Sequence, residues 1–226
     1  PIQMPELSPL TYGHTDARLI LRVGGSMGDV YGQRLLKRDL NGYILNEEGV
    51  GLAMENKETY LGSILPKMNM GWSLGFGYKG VNLGMTFTGR FGGIVISETQ
   101  SVLDAAGVSK VSADVRDAGG VQINQGKVSA QTYYQAIQGT AAYYTYSATN
   151  VRLGELSLSY TLPKKWFDNK VGMTVGLVGK NLWMIYCKAP FDPELTTSAA
   201  SNFYQGFDAY MLPSTRNFGF NIKFQF

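Results

Sequence analysis

Strict alternation of apolar and polar residues at the end of the chain constrains the fold more than any other feature of the sequence. Every second residue from Phe218 to Phe226 is apolar, and the positions between them carry glycine, asparagine, lysine and glutamine. A period of two is the spacing of a β-strand whose two faces differ. The last eleven residues are therefore predicted to form a strand with one aromatic face and one small, polar face.

The same alternation recurs earlier in the chain. Two alternating segments are separated only by Lys79 and Gly80, so they are predicted to form a two-residue hairpin. In another segment the apolar positions change parity near Gly154, which predicts a β-bulge there. The six predicted strands cover residues 17–31, 70–78, 81–91, 151–162, 171–177 and 216–226.

The composition of the small, polar face of the predicted strands favours a membrane barrel over a soluble sandwich. Only 16% of the residues are charged, whereas soluble domains average about 25%. Outward positions of a soluble sandwich usually carry charge, but here they are mainly Gly, Ser, Thr and Asn. The predicted fold is therefore an all-β, antiparallel transmembrane β-barrel segment, with its apolar face toward lipid and its polar face toward a lumen. Trp72, Phe76, Leu83 and Phe87 are expected on the lipid face.

Short and long connections alternate between the predicted strands. The short ones are 79–80 and 163–170, and the long, polar ones are 34–69, 98–150 and 187–213. Bacterial outer-membrane barrels have short periplasmic turns and long extracellular loops in this alternation. Since such barrels begin at eight strands, six strands are expected to be part of a larger barrel.

Several function classes are disfavoured by residue counts. A single cysteine, Cys187, and a single histidine, His14, allow neither an intrachain disulfide nor a Cys/His zinc cluster. The net charge of +3 comes without a dense basic tract, so nucleic acid is not an expected partner. Asp192 and Glu194 flank Pro193 in a predicted turn, which does not resemble the positioned acid and base of a glycosidase. We predict no enzymatic activity, no cofactor and no metal site.

Segments along almost the whole chain resemble one family when their order and spacing are considered together. They are residues 22–24, 28–32, 39–42, 61–66, 78–83, 151–163, 179–183, 192–194 and 213–224. In these segments the chain resembles the C-terminal barrel region of the SusC/RagA-like TonB-dependent outer-membrane transporters.

This resemblance implies a function and a set of partners. Residues 1–226 would be the C-terminal part of a 22-stranded barrel, whose N-terminal plug domain is absent from this chain. The intact protein would import oligosaccharides or peptides across the bacterial outer membrane, energised by the TonB complex and capped by a SusD-like lipoprotein. Near Asp39 the family often has an acidic turn, but only Asp39, Asn41 and Glu47 remain here, which argues against a calcium site.

Candidate substrate-binding residues are aromatic or cationic. The tyrosines near residue 145 and the aromatics of the last long loop could stack on a sugar ring, or could belong to an interfacial aromatic girdle. Arginines near strand ends could orient a polar substrate, or could simply be solvated on a pore wall. The predicted substrate-binding residues are Arg90, Tyr143, Tyr144, Tyr146, Arg152, Phe203 and Tyr204. Phe224 and Phe226 are predicted to serve membrane assembly, because an aromatic terminal strand can be recognised by strand addition.

Two alternatives remain open from the residues alone. The first is an outer-membrane channel or adhesin barrel that needs no TonB. The second is a soluble β-sandwich that binds glycans. The identity of the transported molecule is not encoded in any of these patterns.

Overall fold

A computed structural model describes residues 10–11, 14–47, 51–167, 171–195 and 205–225. The strands are β1 (Leu10–Thr11), β2 (Arg18–Leu19), β3 (Asp29–Leu36), β4 (Asn46–Glu47), β5 (Gly51–Leu52), β6 (Met54–Ser63), β7 (Met68–Tyr78), β8 (Val81–Phe91), β9 (Ile94–Ser97), β10 (Val121–Ile123), β11 (Gly126–Val128), β12 (Thr145–Ser147), β13 (Asn150–Thr161), β14 (Gly172–Cys187), β15 (Phe207–Asp208) and β16 (Asn217–Gln225). The helices are α1 (Glu98–Ala105), α2 (Lys110–Asp117) and α3 (Ala130–Ile137), with 3-10 turns at Ala141–Tyr143 and Lys164–Phe167.

The chain divides into two compact units, each built from three separate segments. The described residues within 1–65, 93–147 and 193–211 form what we call the core unit. The described residues within 66–92, 148–192 and 212–226 form what we call the sheet unit. Strands predominate, and their pairings are antiparallel except for β15 with β9, which confirms the antiparallel, strand-rich class. The described strands do not close into a barrel.

The sheet unit is one five-stranded antiparallel sheet in the order β7-β8-β13-β14-β16. It contains five of the six predicted strands. Tyr78 pairs with Val81, and Lys79 and Gly80 both have positive φ angles, of 46° and 87°. A type I′ turn requires positive φ angles at both of its central residues, so the predicted hairpin is confirmed.

The predicted β-bulge is also confirmed. The register of β13 shifts between Leu153 and Glu155 against both of its neighbours, which leaves Gly154 as the extra residue. On β14 the irregularity coincides with Asn181, whose φ is 53°. Because the bulge restores the parity of the apolar positions, Leu153 and Leu156 share one face of the sheet.

The strand predicted over 17–31 is wrong. The structure has β2 and β3 there, separated by a turn in which Gly24 has a φ of 82°. The Asp29 carboxylate accepts a hydrogen bond from the Ser26 backbone N–H at 2.8 Å, which fixes the turn. A side-chain bond of this kind gives the backbone an alternative to the strand ladder, so the apolar alternation ends at the turn.

The core unit has an interior like that of a water-soluble domain. One cluster contains Ala17, Leu19, Val30, Ile64, Ile96, Ala141 and Phe207. A second contains Leu36, Ile44, Leu52, Ile123, Ala130, Tyr134, Ile137 and Tyr144. All residues of the second cluster lie in the predicted long connections 34–69 and 98–150, so those segments form structure of their own.

Three helices occupy part of the connection predicted over 98–150. Each begins after a serine whose hydroxyl accepts a hydrogen bond from a backbone N–H of the first turn: Ser97 from Gln100, Ser109 from Ser112 and Ser129 from Thr132. Such caps satisfy donors that a helix end leaves unpaired. Among the described residues, no helix is both long and apolar enough to cross a membrane.

Candidate functional site

The sheet unit presents one continuous apolar face. Cross-strand pairing aligns Trp72, Phe87, Leu153 and Trp183 in one transverse row, and Phe76, Leu83, Leu158, Leu177 and Phe220 in another. A third row contains Tyr78, Val81, Tyr160, Val175 and Ile222. Trp72 is 62% exposed and Phe220 is 64% exposed. The four residues expected on one outer surface therefore do share a face.

The opposite face of this sheet is polar. Ser73, Thr86, Glu155, Lys180 and Asn217 form a row across all five strands. The Ser73 and Thr86 hydroxyl oxygens are 3.1 Å apart, and Lys180 Nζ lies 3.8 Å from a Glu155 carboxylate oxygen. Neighbouring polar side chains thus satisfy one another across the strands.

Both faces of the sheet are largely uncovered. Every residue of β16 is exposed, and so is every residue of β7 except Leu74. Within the described part of the sheet unit, no second sheet lies over either face. A single layer with an exposed aromatic face lacks the apolar partner that layered soluble domains require.

The strand lengths match a membrane-spanning sheet. Strand β7 has eleven residues. At about 3.4 Å per residue and a tilt of about 45°, such a strand crosses about 25 Å, the height of the apolar band of outer-membrane barrels. Along β7, the row that contains Tyr78 lies at one end of this span, and the row that contains Trp72 lies near its middle.

A buried ion pair lies at one end of the polar face. The Arg152 guanidinium donates to both carboxylate oxygens of Asp192, at 2.7 and 3.0 Å. The side chains are only 11% and 8% exposed. Arg152 also donates to the side-chain oxygen of Asn150 at 3.3 Å. The predicted substrate-binding role of Arg152 stays a prediction, and in this structure its charge is neutralised by Asp192.

Arg90 belongs to the same end of the sheet. It is the cross-strand neighbour of Asn150, so Arg90 and Arg152 both project from the polar face. Arg90 is half-buried. The structure therefore places the two predicted arginines at the same end of the sheet. Asp192, in the loop that follows β14, provides the carboxylate that pairs with Arg152.

The predicted tyrosines belong to the core unit and not to the sheet. Tyr144 is 2% exposed and is part of the second hydrophobic cluster, so its ring is not open to stacking by a ligand. Tyr143 and Tyr146 are half-buried against that cluster, and the Tyr143 hydroxyl accepts a hydrogen bond from the Leu36 backbone N–H at 3.1 Å. Burial raises the pKa of Tyr144 far above its usual value and raises the pKa of Tyr146 to about 12.

Of the remaining predicted site residues, the structure describes Phe224 only. Phe224 lies in β16 on the apolar face and is exposed. Phe203, Tyr204 and Phe226 lie outside the described residues.

The turn at Asp39 is organised by backbone contacts. One Asp39 carboxylate oxygen accepts hydrogen bonds from the backbone N–H groups of Asn41 and Tyr43, both at 2.9 Å. In the part of the chain that the structure describes, no three His, Cys, Asp or Glu side chains gather in a metal-binding arrangement.

The chain is similar in fold to solved structures of one transport system. The structure of the RagAB peptide importer in its open-open state matches at 20% identity with a TM-score of 0.62, over 97% of this chain and 24% of that chain. The closed-closed state of the RagAB peptide importer matches at 17% identity with a TM-score of 0.56, over 95% of this chain and 28% of that chain. A structure of the RagAB peptide transporter matches at 21% identity with a TM-score of 0.53, over 79% of this chain and 21% of that chain.

The likeness defines the fold of this chain. The chain spans about a quarter of the length of the first RagAB chains it matches. No protein-family model and no curated protein matches the chain. The likeness therefore concerns the fold of one part of the longer RagAB chains.

Proposed function

We propose that this chain is the C-terminal barrel part of an outer-membrane active transporter that imports oligosaccharides or peptides. The single observation that carries the proposal is the five-stranded sheet with one exposed aromatic face and one polar face. In water the aromatic face would remain unburied, whereas in a bilayer it would meet acyl chains. The polar face would then line the path of a hydrophilic nutrient.

The positions of polar aromatic residues support a membrane location. Tyr78 and Tyr160 fall in one transverse row at the hairpin end of the sheet, and Trp183 lies toward the other end of β14. Aromatic residues with a polar group are enriched at both membrane interfaces of outer-membrane barrels. Lipid of the bacterial outer membrane is therefore the proposed neighbour of this face.

The polar face favours passage of a solute over chemistry on it. Its polar groups are mainly hydroxyls and amides, and its described charges include the pairs Glu155–Lys180 and Arg152–Asp192. Such a wall offers hydrogen bonds to sugars or peptides without a positioned nucleophile or base. We therefore propose a non-enzymatic role.

The partners follow from the resemblance in sequence and are supported by the likeness in fold to a RagAB peptide importer. We propose a SusD-like surface lipoprotein as a partner on the barrel. We propose that the TonB complex supplies energy through an N-terminal region beyond this chain.

Uptake in cells tests the function. The full-length gene is deleted, and accumulation of labelled oligosaccharides and labelled oligopeptides is measured with and without complementation. We expect uptake of one of the two classes to be lost on deletion and also on inactivation of TonB. Uptake that persists without TonB would favour a TonB-independent channel, and recovery of the intact protein in buffer without detergent would favour a soluble binding protein.

Truncation tests the assembly role proposed for Phe224 and Phe226. Removing residues 224–226 from the full-length protein is expected to lower its level in the outer membrane with little change in synthesis. Heat-modifiable gel mobility of outer-membrane fractions measures the folded protein. Normal insertion of the truncated protein would contradict the assembly role and would leave the barrel assignment unaffected.

A further inference from the structure

A polar cleft in the core unit is separate from the sheet that carries the proposed transport function. It has a volume of about 670 Å³ and is lined by residues that include His14, Asp16, Arg18, Gln33, Arg34 and Glu58. Ligand pockets commonly have volumes of about 300–1,000 Å³, so the cleft is large enough for a small molecule or for one end of a chain.

The two carboxylates of the cleft are already used within the protein. Asp16 accepts hydrogen bonds from the backbone N–H groups of Gln33 at 3.1 Å, Arg34 at 2.8 Å and Ala141 at 2.6 Å. Its Oδ2 atom also lies 3.7 Å from Arg34 Nε. Asp16 therefore holds β3 and the turn after α3 in place, and its charge is not free to bind a cation.

Glu58 is occupied in a similar way. It forms a hydrogen-bonded ion pair with Arg22. The Arg22 guanidinium carbon lies 4.5 Å from the centre of the Tyr31 ring, in a cation–π contact. Arg22 thus provides the counter-charge for Glu58, which leaves Arg18 without that carboxylate as its partner.

The uncommitted hydrogen-bond donors of the cleft include Arg18 and Gln33. Arg18 is exposed, and the described residues provide its guanidinium with no hydrogen bond or ion pair. Gln33 lines the cleft, and its Nε2 atom is buried and has no acceptor among the described residues. Buried donors in proteins are nearly always paired, so a turn of the Gln33 amide toward the cleft would let this nitrogen gain an acceptor from a ligand.

We propose that this cleft binds a carboxylate group, with Arg18 as its anchor and Gln33 as a second donor. A guanidinium donates two parallel hydrogen bonds to the two oxygens of a carboxylate, which gives both charge and geometric recognition. A carboxylate can come from the C-terminus of a peptide or from an acidic sugar. The identification of that ligand as an imported nutrient rests on the proposed function, whereas the binding itself does not.

Calorimetric titration of the full-length protein in detergent tests the site. The probes are trialanine, trialanine amide, galacturonic acid and galactose. We expect trialanine, galacturonic acid or both to bind, and their uncharged analogues to bind at least about tenfold more weakly, because a bond to a charged group is lost. Binding of trialanine alone assigns a peptide terminus, and binding of galacturonic acid alone assigns an acidic sugar.

Substitutions locate the binding in the cleft. Arg18→Met and Gln33→Leu are each expected to weaken binding of the carboxylate probe, with the larger loss for Arg18→Met. Arg216→Met is the matched control, since Arg216 is an exposed arginine of the sheet unit, and should bind like the unchanged protein.

The proposal is overturned if no probe binds, if the amide binds as well as the acid, or if Arg18→Met binds as tightly as the control. Loss of cellular uptake with retained calorimetric binding would refute the transport function alone. Retained uptake without carboxylate binding would refute the cleft proposal alone.

Discussion

The core unit and the sheet unit place the same kinds of side chain in opposite environments. Phe207 of the core unit is 2% exposed, whereas Phe220 of the sheet unit is 64% exposed. In the core unit the apolar surface is removed from water by protein packing. In the sheet unit only the surroundings can remove it, so the stability of this unit depends on the solvent in a way that the core unit does not share.

The same types of apolar residue therefore occur in two kinds of structure within this chain. Period-two alternation over long strands produces the two-faced layer. Short strands and capped helices produce the packed interior of the core unit.

The largest expected effect concerns the buried ion pair of the sheet unit. Asp192→Ala would remove the carboxylate that pairs with the buried Arg152 guanidinium, and breaking a buried pair in this way costs about 3–5 kcal/mol. We expect this loss in the unfolding free energy of the full-length protein in detergent. The matched control is Glu155→Gln, because its partner Lys180 is exposed and such pairs contribute about 0–1 kcal/mol. Equal losses of unfolding free energy for the two variants would contradict a larger contribution from the buried pair than from the exposed pair.

The next effect tests the two faces directly. Phe220→Arg places a charge on the apolar face and is expected to cost about 2–4 kcal/mol in a lipid bilayer. Asn221→Arg places the same charge on the polar face and is expected to cost much less. Refolding into liposomes measures both variants, and equal yields would refute the assignment of the faces.

A third, smaller effect belongs to the core unit. The Ser97 hydroxyl accepts from the Gln100 backbone N–H at the start of α1 and donates to the buried Asp208 carboxylate at 2.6 Å. Ser97→Ala is expected to cost about 1–2 kcal/mol, because it removes both the cap and a partner of that carboxylate.

Ser129→Ala provides the control for Ser97→Ala. Ser129 caps α3 in the same way, but its environment is exposed. Hydrogen-exchange mass spectrometry on each helix measures both variants in detergent. A loss of protection at Ser129→Ala as large as that at Ser97→Ala would show that the Asp208 contact contributes nothing.

The smallest effect at neutral pH is expected for the buried tyrosines. The Tyr144 hydroxyl is buried without a partner among the described residues, so Tyr144→Phe is expected to be neutral or slightly stabilising at pH 7. Burial raises the pKa values of Tyr144 and Tyr146 above the value of 10.0 for a free tyrosine. The folded state therefore favours the protonated tyrosine hydroxyl, and this contribution to the stability of the fold is fully present below pH 10.

That stabilisation should be lost as the pH rises above 10, since the unfolded chain then releases the proton first. Exchange protection of the core unit is expected to fall over this range in the unchanged protein and to fall less in Tyr144→Phe. Ile137→Val is the control, because it alters the same cluster without removing a titrating group. An identical fall in Tyr144→Phe and Ile137→Val would exclude tyrosine ionisation as the cause.

The sheet was predictable from local patterns. The alternation in β7 and β8 together with Lys79 and Gly80 is enough to predict the hairpin and its register, because both depend on neighbouring residues. The parity change at Gly154 predicted the bulge for the same reason.

The core unit was not predicted, although part of its signal is present in the sequence. Ser97, Ser109 and Ser129 precede the three helices and are typical N-caps, but helices of eight residues give little periodicity to support such caps. Tyr144 illustrates a second limit, because an aromatic residue in a core and one at a membrane interface look alike in sequence.

The ion pair of Arg152 with Asp192 illustrates a third limit. Arg152 lies near the start of β13 and Asp192 lies in the loop after β14, and no spacing rule links them. Only the fold determines that the carboxylate returns to the start of β13.

The arrangement of β8 and β13 has a consequence for how the chain folds and diversifies. Arg90 and Asn150 are direct cross-strand neighbours, although about 60 residues of chain separate them, and closing a flexible loop of that length has an entropic cost that grows only with the logarithm of its length. Doubling the intervening segment would therefore add only about 0.6 kcal/mol to that closure. The entropy of loop closure alone would therefore allow insertions between these strands with the same register of β8 and β13.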